Sequence, residues 1–595
     1  MTLPPSVCKI AAIRYVKGAA APPTLSGRKV KGTKEMSTTN SIPASPWRAI
    51  METALYANSV RKTNMAELYS LALKQPEVIM TDQAMYNPGQ FGLPADAKVL
   101  ISQDGGVIGR TARARLLTRT FSKPQSDKMK AILMEAVYQF NKRPGLHLEG
   151  IVGLHPDFMV KAHLISPESD AKNMLDWGMN FLPFMKPWSD AYPKSRNLGE
   201  PDIIAFADPD WSNPEYPNGC VIIDEVNNCI AILGLRYFGE RKKGTLTIAW
   251  TMGVRHNMVA CHGGIKKIGN NRPIAVFGLS GSGKSSITNS LDHDGTLNKN
   301  EKVTVIHDDA FLIDLESDIT VALEPSLFDK TDAVKLDDST LKYFYSAQNV
   351  AVTTVQVGGK TKKVMVHEDI RNDNGRCIKS RDMFTNAPSC ERPSMVIWLQ
   401  KDTSLPPISK VKGSSLAVAM GASLSTLRAK GVENVEAKEL DKLVIEPFAN
   451  PFRVHSLLED CEQFRKLFKM GCDCYIMNTH AFGLPDDLVN IPKELSLNIV
   501  TQLMRGNIQW REWRTFHGLS LPSNGNEFFG ADFDKKYKPN RSLDYINFLR
   551  DRMQDRITFL SNKRDIEKDM ANTFIAPLVL ARTTIDKILN PDLYG

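Results

Sequence analysis

The alternation of apolar and polar positions resolves the chain into short strands, turns and helices. Across residues 47–74, Ile50, Ala54, Leu55, Val60, Met65, Leu68 and Leu71 recur at near-helical spacing and predict a helical lead-in. Lys98–Ser102 reads as a strand, residues 103–109 as a glycine-containing turn, and residues 127–140 as a helix with Met129, Ile132, Leu133 and Val137 inward. Residues 201–207, 220–224 and 231–235 are further strand candidates, followed by a charged turn at 239–244. Residues 273–277 (PIAVF) form a continuous apolar strand, with GLSGSGKSS and a helix to Leu291 behind it. The strand at 303–306 then ends on Asp308 and Asp309, and residues 395–399 and 474–478 are two more buried strands. Beyond Arg541 helix formers dominate, with apolar positions over 574–581 and at Ile585 and Ile588. Strands and helices are interleaved throughout, which predicts an α/β fold.

Composition narrows the class. At 595 residues, 42% hydrophobic and 24% charged, the chain is long enough for at least two lobes. We place their boundary near Asn228, dividing the chain into a tail (1–46), an N-terminal lobe (47–228), a P-loop lobe (229–562) and a helical extension (563–595), with the active site expected in the cleft between the lobes. The charge of +9 comes from 75 basic against 66 acidic residues. So thin an excess suits a basic patch for an anionic metabolite better than a nucleic-acid surface, and no basic tract is interleaved with aromatics. Nine cysteines without a C-x-x-C pair read as reduced, buried thiols. No apolar run approaches the roughly 18 residues of a membrane span, so a soluble, cytoplasmic protein without membrane contact is expected. The first 34 residues carry Lys9, Arg14, Lys17, Arg28, Lys29, Lys31 and Lys34 and no acid. That is the composition of some organelle transit peptides, and equally of a disordered tail or a segment upstream of a start at Met36.

The residues Gly278, Leu279, Ser280, Gly281, Ser282, Gly283, Lys284 and Ser285, followed by Ser286, fit G-x-x-x-x-G-K-[ST] between a strand and a helix. Such a loop turns backbone N–H groups onto phosphate oxygens, sends the lysine to the outer phosphates and offers the serine hydroxyl to magnesium. Asp308 and Asp309 are placed to face the phosphates through a metal, or alternatively to cap a helix or turn. In the segment YFGERKKG, Lys243 beside Arg241 and Lys242 is either part of a solvated charge run or a lysine of lowered pKa. His262, alone in CHGG, is as readily structural as a ligand.

Taken in order, these segments resemble the ATP-dependent phosphoenolpyruvate carboxykinase family. Its YGGEMKKG, MHCSAN, FGLSGTGKTT and GDDEHGW motifs look like YFGERKKG, CHGGIK, FGLSGSGKSS and HDDAFLI here. GRTAR at Gly109, HPD at His155, EPSLFDKT at Glu324, NGR at Asn374, LPPISK at Leu405 and IMNTH at Ile476 are similar to its GRSPK, NPD, EGGCYAKT, NTR, LPPVSR and LVNTGW, so the likeness runs from about Val99 to about Phe559. The resemblance implies manganese held by Lys243, His262 and Asp309. Arg110 and Tyr237 would contact the substrate, and Ser280 the reacting oxygen. Lys284, Ser285 and Asp308 would hold the phosphates of ATP with magnesium, and Lys330 and Arg376 the phosphoryl group in flight. The implied reaction converts oxaloacetate and ATP to phosphoenolpyruvate, carbon dioxide and ADP. Departures fall at Ala310-Phe-Leu-Ile in place of EHGW, at CHGGIK, at Lys379-Ser380 in place of tyrosine-proline, and at Val444 to Asn450 in place of the adenine loop. They leave two alternatives: a kinase for another small carboxylated acceptor or a protein hydroxyl, and a nucleotide sensor without catalysis.

Overall fold

The computed structural model describes residues 45–594 apart from 106, 110–111, 182, 184, 187, 280, 292, 294, 296, 299–300, 332–333, 335–338, 367–374, 385–386, 428–442, 540–541 and 564–567. Contacts divide the chain into Met1–Ile42, which lies outside the described residues, and Pro43–Gly595. The predicted sites Arg110 and Ser280 also fall outside the described residues, as does nearly all of the tail expected at 1–46.

The fold is mixed α/β, as the alternating pattern predicts. Among the described residues, a seven-stranded sheet runs in the order Val60–Lys62, Gly145–His155, Phe158–Pro167, Ile203–Asp208, Cys229–Leu233, Cys220–Asp224, Arg115–Leu117. Asn228, with φ 54°, lies in the turn joining two antiparallel strands of this sheet, so a boundary placed there would cut a hairpin. A second, eight-stranded sheet is ordered Val303–His307, Gly264–Ile268, Ile274–Phe277, Met395–Gln400, Asp473–Asn478, Ile408–Val411, Leu519–Pro522, Trp510–Glu512. Its parallel centre, Ile274–Phe277 beside Met395–Gln400 and then Asp473–Asn478, carries the P-loop. These central strands are almost wholly buried, which is why they read as unbroken apolar runs rather than alternating ones. Two smaller sheets complete the frame of the site. One joins Met258–His262, Ala310–Asp314, Ile319–Ala322 and Ser389–Glu391, and the other includes Ser326–Lys330 and Arg376–Ser380.

Residues 47–74 are not one helical lead-in but two helices, Pro46–Leu55 and Met65–Ala72, separated by the edge strand Val60–Lys62. Ser45 and Asn64 cap them, each accepting a backbone N–H at the new start. A larger difference concerns 239–244. The expected charged turn is the opening of the helix Phe238–Arg255, where Glu240, Arg241 and Lys242 are buried. Helical periodicity is hidden there because the helix is covered on all sides. A Cβ at Gly244 would meet Ile230 of the seven-stranded sheet at 2.6 Å, and one at Gly253 would meet Leu312 of the sheet opposite at 2.5 Å. A side chain at either position would have to push the end of Ile230 or Leu312 aside. The helix after the P-loop is shorter than expected, Lys284–Asn289. The eight described cysteines are free and buried, and no described helix is long and apolar enough to cross a membrane. Helices Leu543–Ser561 and Lys568–Leu589 pack against each other near the C-terminus.

Candidate active site

Asp308 and Asp309 follow the strand Val303–His307, and the turn that presents them is held by His307. Its Nδ1 accepts the backbone N–H groups of Asp309 at 2.9 Å and Ala310 at 3.0 Å. The ring proton is thereby left on Nε2, which faces Glu324 Oε1 at 3.9 Å. The two carboxylates do not share one pocket; they diverge, and each finds its own cations.

Asp308 faces the P-loop. Lys284 Nζ donates to its carbonyl at 2.7 Å and to Oδ1 at 2.8 Å, while Asn289 Nδ2 reaches Oδ2 at 2.9 Å. The loop itself turns on Gly281 and Gly283, at φ 80° and 86°. Gly283 is the N-cap of Lys284–Asn289, so the N–H groups at the start of that helix remain available to an anion. Thr479 Oγ1 ties the Ser282 carbonyl at 2.7 Å. Ser285 lies half-buried in the first turn, and Ser286 is exposed.

Asp309 faces the other way and collects three basic groups from two elements. Lys243 Nζ lies 2.6 and 2.7 Å from its two oxygens, Lys242 Nζ donates to Oδ2, and His262 Nε2 stands 3.2 Å from Oδ1. Both lysines come from the buried helix Phe238–Arg255. His262 ends the strand Met258–His262, where it is paired in register with Ala310. Lys242 also reaches Glu324 Oε1 at 2.8 Å. Arg241, expected beside Lys243, is turned away to Asp170 at 2.7 Å. Burial raises the cost of ionising Asp309, but Lys242 and Lys243 outweigh it and hold its carboxyl well below the usual range. Burial pushes Lys243 down to about 8, with Lys242 adding to the effect, and pushes Glu324 up to about 7. The Lys243 ammonium also lies over the rings of Phe452 (4.7 Å) and Trp250 (5.8 Å).

His262 supplies the test of whether this cluster suits a metal ion. Its Nδ1 lies 2.6 Å from the Ala449 carbonyl, which can only accept, so Nδ1 carries the proton. Burial lowers the pKa of the ring and favours its neutral form. A lone pair on Nε2 then faces a carboxylate oxygen, an arrangement that a cation between them satisfies. A depressed lysine, a neutral imidazole and a carboxylate are together a donor set for a divalent transition metal.

Other predicted residues lie on the same helix and on the sheet of Ser326–Lys330 and Arg376–Ser380. Tyr237 is the buried N-cap of Phe238–Arg255, and Arg376 hydrogen-bonds its side chain. Lys330 and Arg376 are directly opposite in an antiparallel pair, which puts two cations on one face of the sheet. Sequence reasoning missed Lys242, Glu324 and His307, although all three lie inside quoted motifs. It also missed Glu240, which accepts the Gly109 N–H at 2.9 Å and two bonds from Arg115, at 3.1 and 2.9 Å, fixing the residue before Arg110. Lys379, a departure from the family pattern, is buried, with Nζ 2.8 Å from Asp329 Oδ2. Asp308 is among the charges that raise it.

Comparison with known proteins agrees with the resemblance in the motifs. The family model for phosphoenolpyruvate carboxykinase matches residues 114–527. The chain is 26% identical over 321 residues to the phosphoenolpyruvate carboxykinase (ATP) of Aeropyrum pernix, covering 50% of this chain and 60% of that one. Against the enzyme of the same name from Dictyostelium discoideum it is 25% identical over 239 residues, 37% and 39% of the two chains. Against that of Rhodopseudomonas palustris it is 23% identical over 499 residues, 77% and 83%. The chain thus spans about half the length of the first two relatives. With well over half of its residues inside the family match, this chain belongs to the phosphoenolpyruvate carboxykinase family.

Proposed function

We propose that the protein is an ATP-dependent phosphoenolpyruvate carboxykinase, and that its reaction is centred on the step from Asp308 to Asp309. The observation that carries this reading is the divergence of the two carboxylates, one toward the P-loop lysine and one toward Lys243 and His262. A phosphoryl donor and a metal-held acceptor would thereby lie on either side of one peptide bond. Lys284, Ser285, Ser286 and the loop Gly278 to Gly283 would hold the phosphates of ATP with magnesium. Lys243, His262 and Asp309 would hold manganese. When bound, that metal would supply positive charge beside the developing enolate oxygen. Arg110 and Tyr237 would grip the carboxylate of oxaloacetate, with Glu240 keeping the Gly109 backbone in place for Arg110. Loss of carbon dioxide leaves the bonding electrons on the remaining three-carbon enolate. Its oxygen then attacks the terminal phosphorus of ATP in line, and the bond to ADP breaks. Lys330 and Arg376, as a cross-strand pair of cations, would offset the charge on the transferring group.

A second reading, a kinase for another small carboxylated acceptor, draws on the Lys379–Asp329 pair, because an ion-paired lysine stands where the family pattern has the tyrosine of tyrosine-proline. One experiment separates the two. Purified protein is given ATP, oxaloacetate, magnesium and manganese, and products are followed by phosphorus NMR. Phosphoenolpyruvate should form, and Lys243→Met should abolish it. Absence of phosphoenolpyruvate with ATP, GTP and pyrophosphate alike would overturn the proposal. ATP consumption only when a different carboxylated acceptor is supplied would establish the second reading.

A further inference from the structure

Away from this site, one face of the seven-stranded sheet gathers a second set of ligand-type side chains. His147 and Glu149 are two residues apart on the strand Gly145–His155, so both point to the same face. Glu149 is directly opposite His163 on the antiparallel strand Phe158–Pro167. One ligand atom from each of the three lies within 4.8 Å of the other two. The rings of His147 and His163 are 5.1 Å apart between centroids, with His147 Nε2 2.9 Å from His163 Nδ1. On the other side of His163, Nε2 meets Asp202 Oδ2 at 3.1 Å. A carboxylate accepts the ring proton there, so His163 turns the lone pair of Nδ1 toward His147 and Glu149. Carboxylate behind imidazole is the arrangement that orients histidine ligands in metal sites. His147 Nε2–H donates to the Nδ1 lone pair at 2.9 Å, and an ion between the two rings would take that proton's place, with His147 carrying its proton on Nδ1.

We propose that His147, Glu149 and His163 form a second, separate site for a zinc-class divalent metal, with Asp202 as the positioning residue behind His163. Zinc bonds of about 2.0–2.2 Å place ligand atoms a little over 3 Å apart, so the three groups need small side-chain rotations and no backbone change. The fourth position is left to water. Two lysines bear on the choice of ion. Lys62 Nζ holds Glu149 Oε2 at 2.8 Å, and Lys161 stands 4.0 Å from Asp202. Lys62 is two-thirds exposed (66%) and free to swing away, and Glu149 Oε1 is in any case on the other side of the carboxylate. Positive charge this close disfavours magnesium or calcium, which depend on oxygen ligands and net negative charge. It leaves the imidazole-seeking ions, zinc, copper, nickel and cobalt. Bound there, the ion would cross-link two strands and the residue leading into a third, Ile203–Asp208.

The test strips the full-length protein with a chelator and titrates it with zinc by calorimetry and with cobalt(II) by visible absorption. Asp309→Asn is run in parallel to remove the site beside the P-loop. The wild type and Asp309→Asn should both bind zinc at the sheet face, and cobalt should show the intense bands of a four-coordinate site. His163→Ala and His147→Gln should lose that binding, and Asp202→Asn should weaken it roughly 10–100-fold. Should either histidine variant fail to fold by circular dichroism, Glu149→Gln gives the same answer with both rings kept, and it should weaken zinc at least tenfold. Equal zinc affinity and stoichiometry in the wild type and His163→Ala would overturn the proposal. So would binding that vanishes in Asp309→Asn alone while circular dichroism shows that variant folded, or cobalt spectra that remain those of the six-coordinate aqueous ion.

Discussion

Asp308 and Asp309 are neighbours in the chain yet belong to two differently built regions. On the P-loop side, the proposed phosphate site is written into nine consecutive residues, and the conformation depends mainly on glycines and a short helix. Asp308 there has one lysine and one amide as partners. On the Asp309 side the groups come from four separated stretches, at 242–243, 262, 309 and 324, and they meet only because a buried helix passes between two sheets. The first region is local. The second is a buried charge cluster in which each member is needed by the others, so damage to it should appear in folding as well as in catalysis.

The sharpest way to break this comparison is Asp309→Asn. Lys242, Lys243 and His262 would keep their positive or donor character and lose the anion they surround, with Glu324 able to reach only Lys242. Removing one partner of a buried ionic set costs about 3–5 kcal/mol, so the urea midpoint should fall clearly. Carboxykinase turnover should drop by about a thousandfold or more, beyond the effect of a single lost stabilising donor. A variant with wild-type stability would mean that the cluster is not an energetic unit.

Next in size is Lys284→Met on the phosphate side. Turnover should fall roughly 100–1,000-fold, whereas stability should change by only about 1 kcal/mol, an ordinary value for a single substitution. Asp308 still keeps Asn289 at 2.9 Å, and the loop keeps its glycines. Paired urea and kinetic measurements on the two variants therefore test the comparison directly. Equal losses of stability would erase it.

The difference between the regions also explains what was legible in the sequence. The P-loop, the strand before it and the carboxylates after Val303–His307 could be read because their meaning depends on adjacent residues. The buried central strands could be read because each is a short apolar run. Residues 239–244 could not, since a helix covered on every side has no polar face to show its period, and its charges pair with Asp170, Asp309 and Glu324, each more than sixty residues away. Lys243 and His262 were each ambiguous alone, and only the family resemblance linked them to Asp309. His147, Glu149 and His163 gave no local signal, because their proximity depends on strand register.

Under the Asp309 side lies a pH-sensitive support. Asp104 is buried and accepts the Phe238 N–H at 2.7 Å, at the start of the helix that carries Lys242 and Lys243, and its other oxygen accepts from Asn349. Burial pushes its carboxyl up to about 7. A carboxyl whose folded pKa exceeds its unfolded value stabilises the fold most below the unfolded pKa, and that contribution is lost as pH rises through about 7. Between pH 5 and 8 the wild type should lose about 2–3 kcal/mol from this group. Asp104→Asn, which cannot ionise, should show a flatter dependence. The urea midpoints of both proteins at the two pH values measure it, and parallel curves would show that Asp104 does not titrate in this range.

The smallest expected effect is on the phosphate side, and it asks whether the two regions are mechanically independent. Gly283 has φ 86°, and the nearest atom to an added Cβ is Thr479 Cβ at 4.0 Å, so Gly283→Ala meets no clash. Its whole cost is that of holding an alanine in the left-handed region, about 1–2 kcal/mol. Because the residue caps Lys284–Asn289, the strain should be relieved by a shift of the loop. Nucleotide affinity should then fall by about 5- to 30-fold, the equivalent of that strain. The groups around Asp309 are fixed by a different helix and a different sheet, so manganese affinity, read by electron paramagnetic resonance without nucleotide, should stay at the wild-type value. A parallel fall in manganese affinity would mean that the turn between Asp308 and Asp309 transmits loop strain to the metal side. The two carboxylates would then have to be treated as one site.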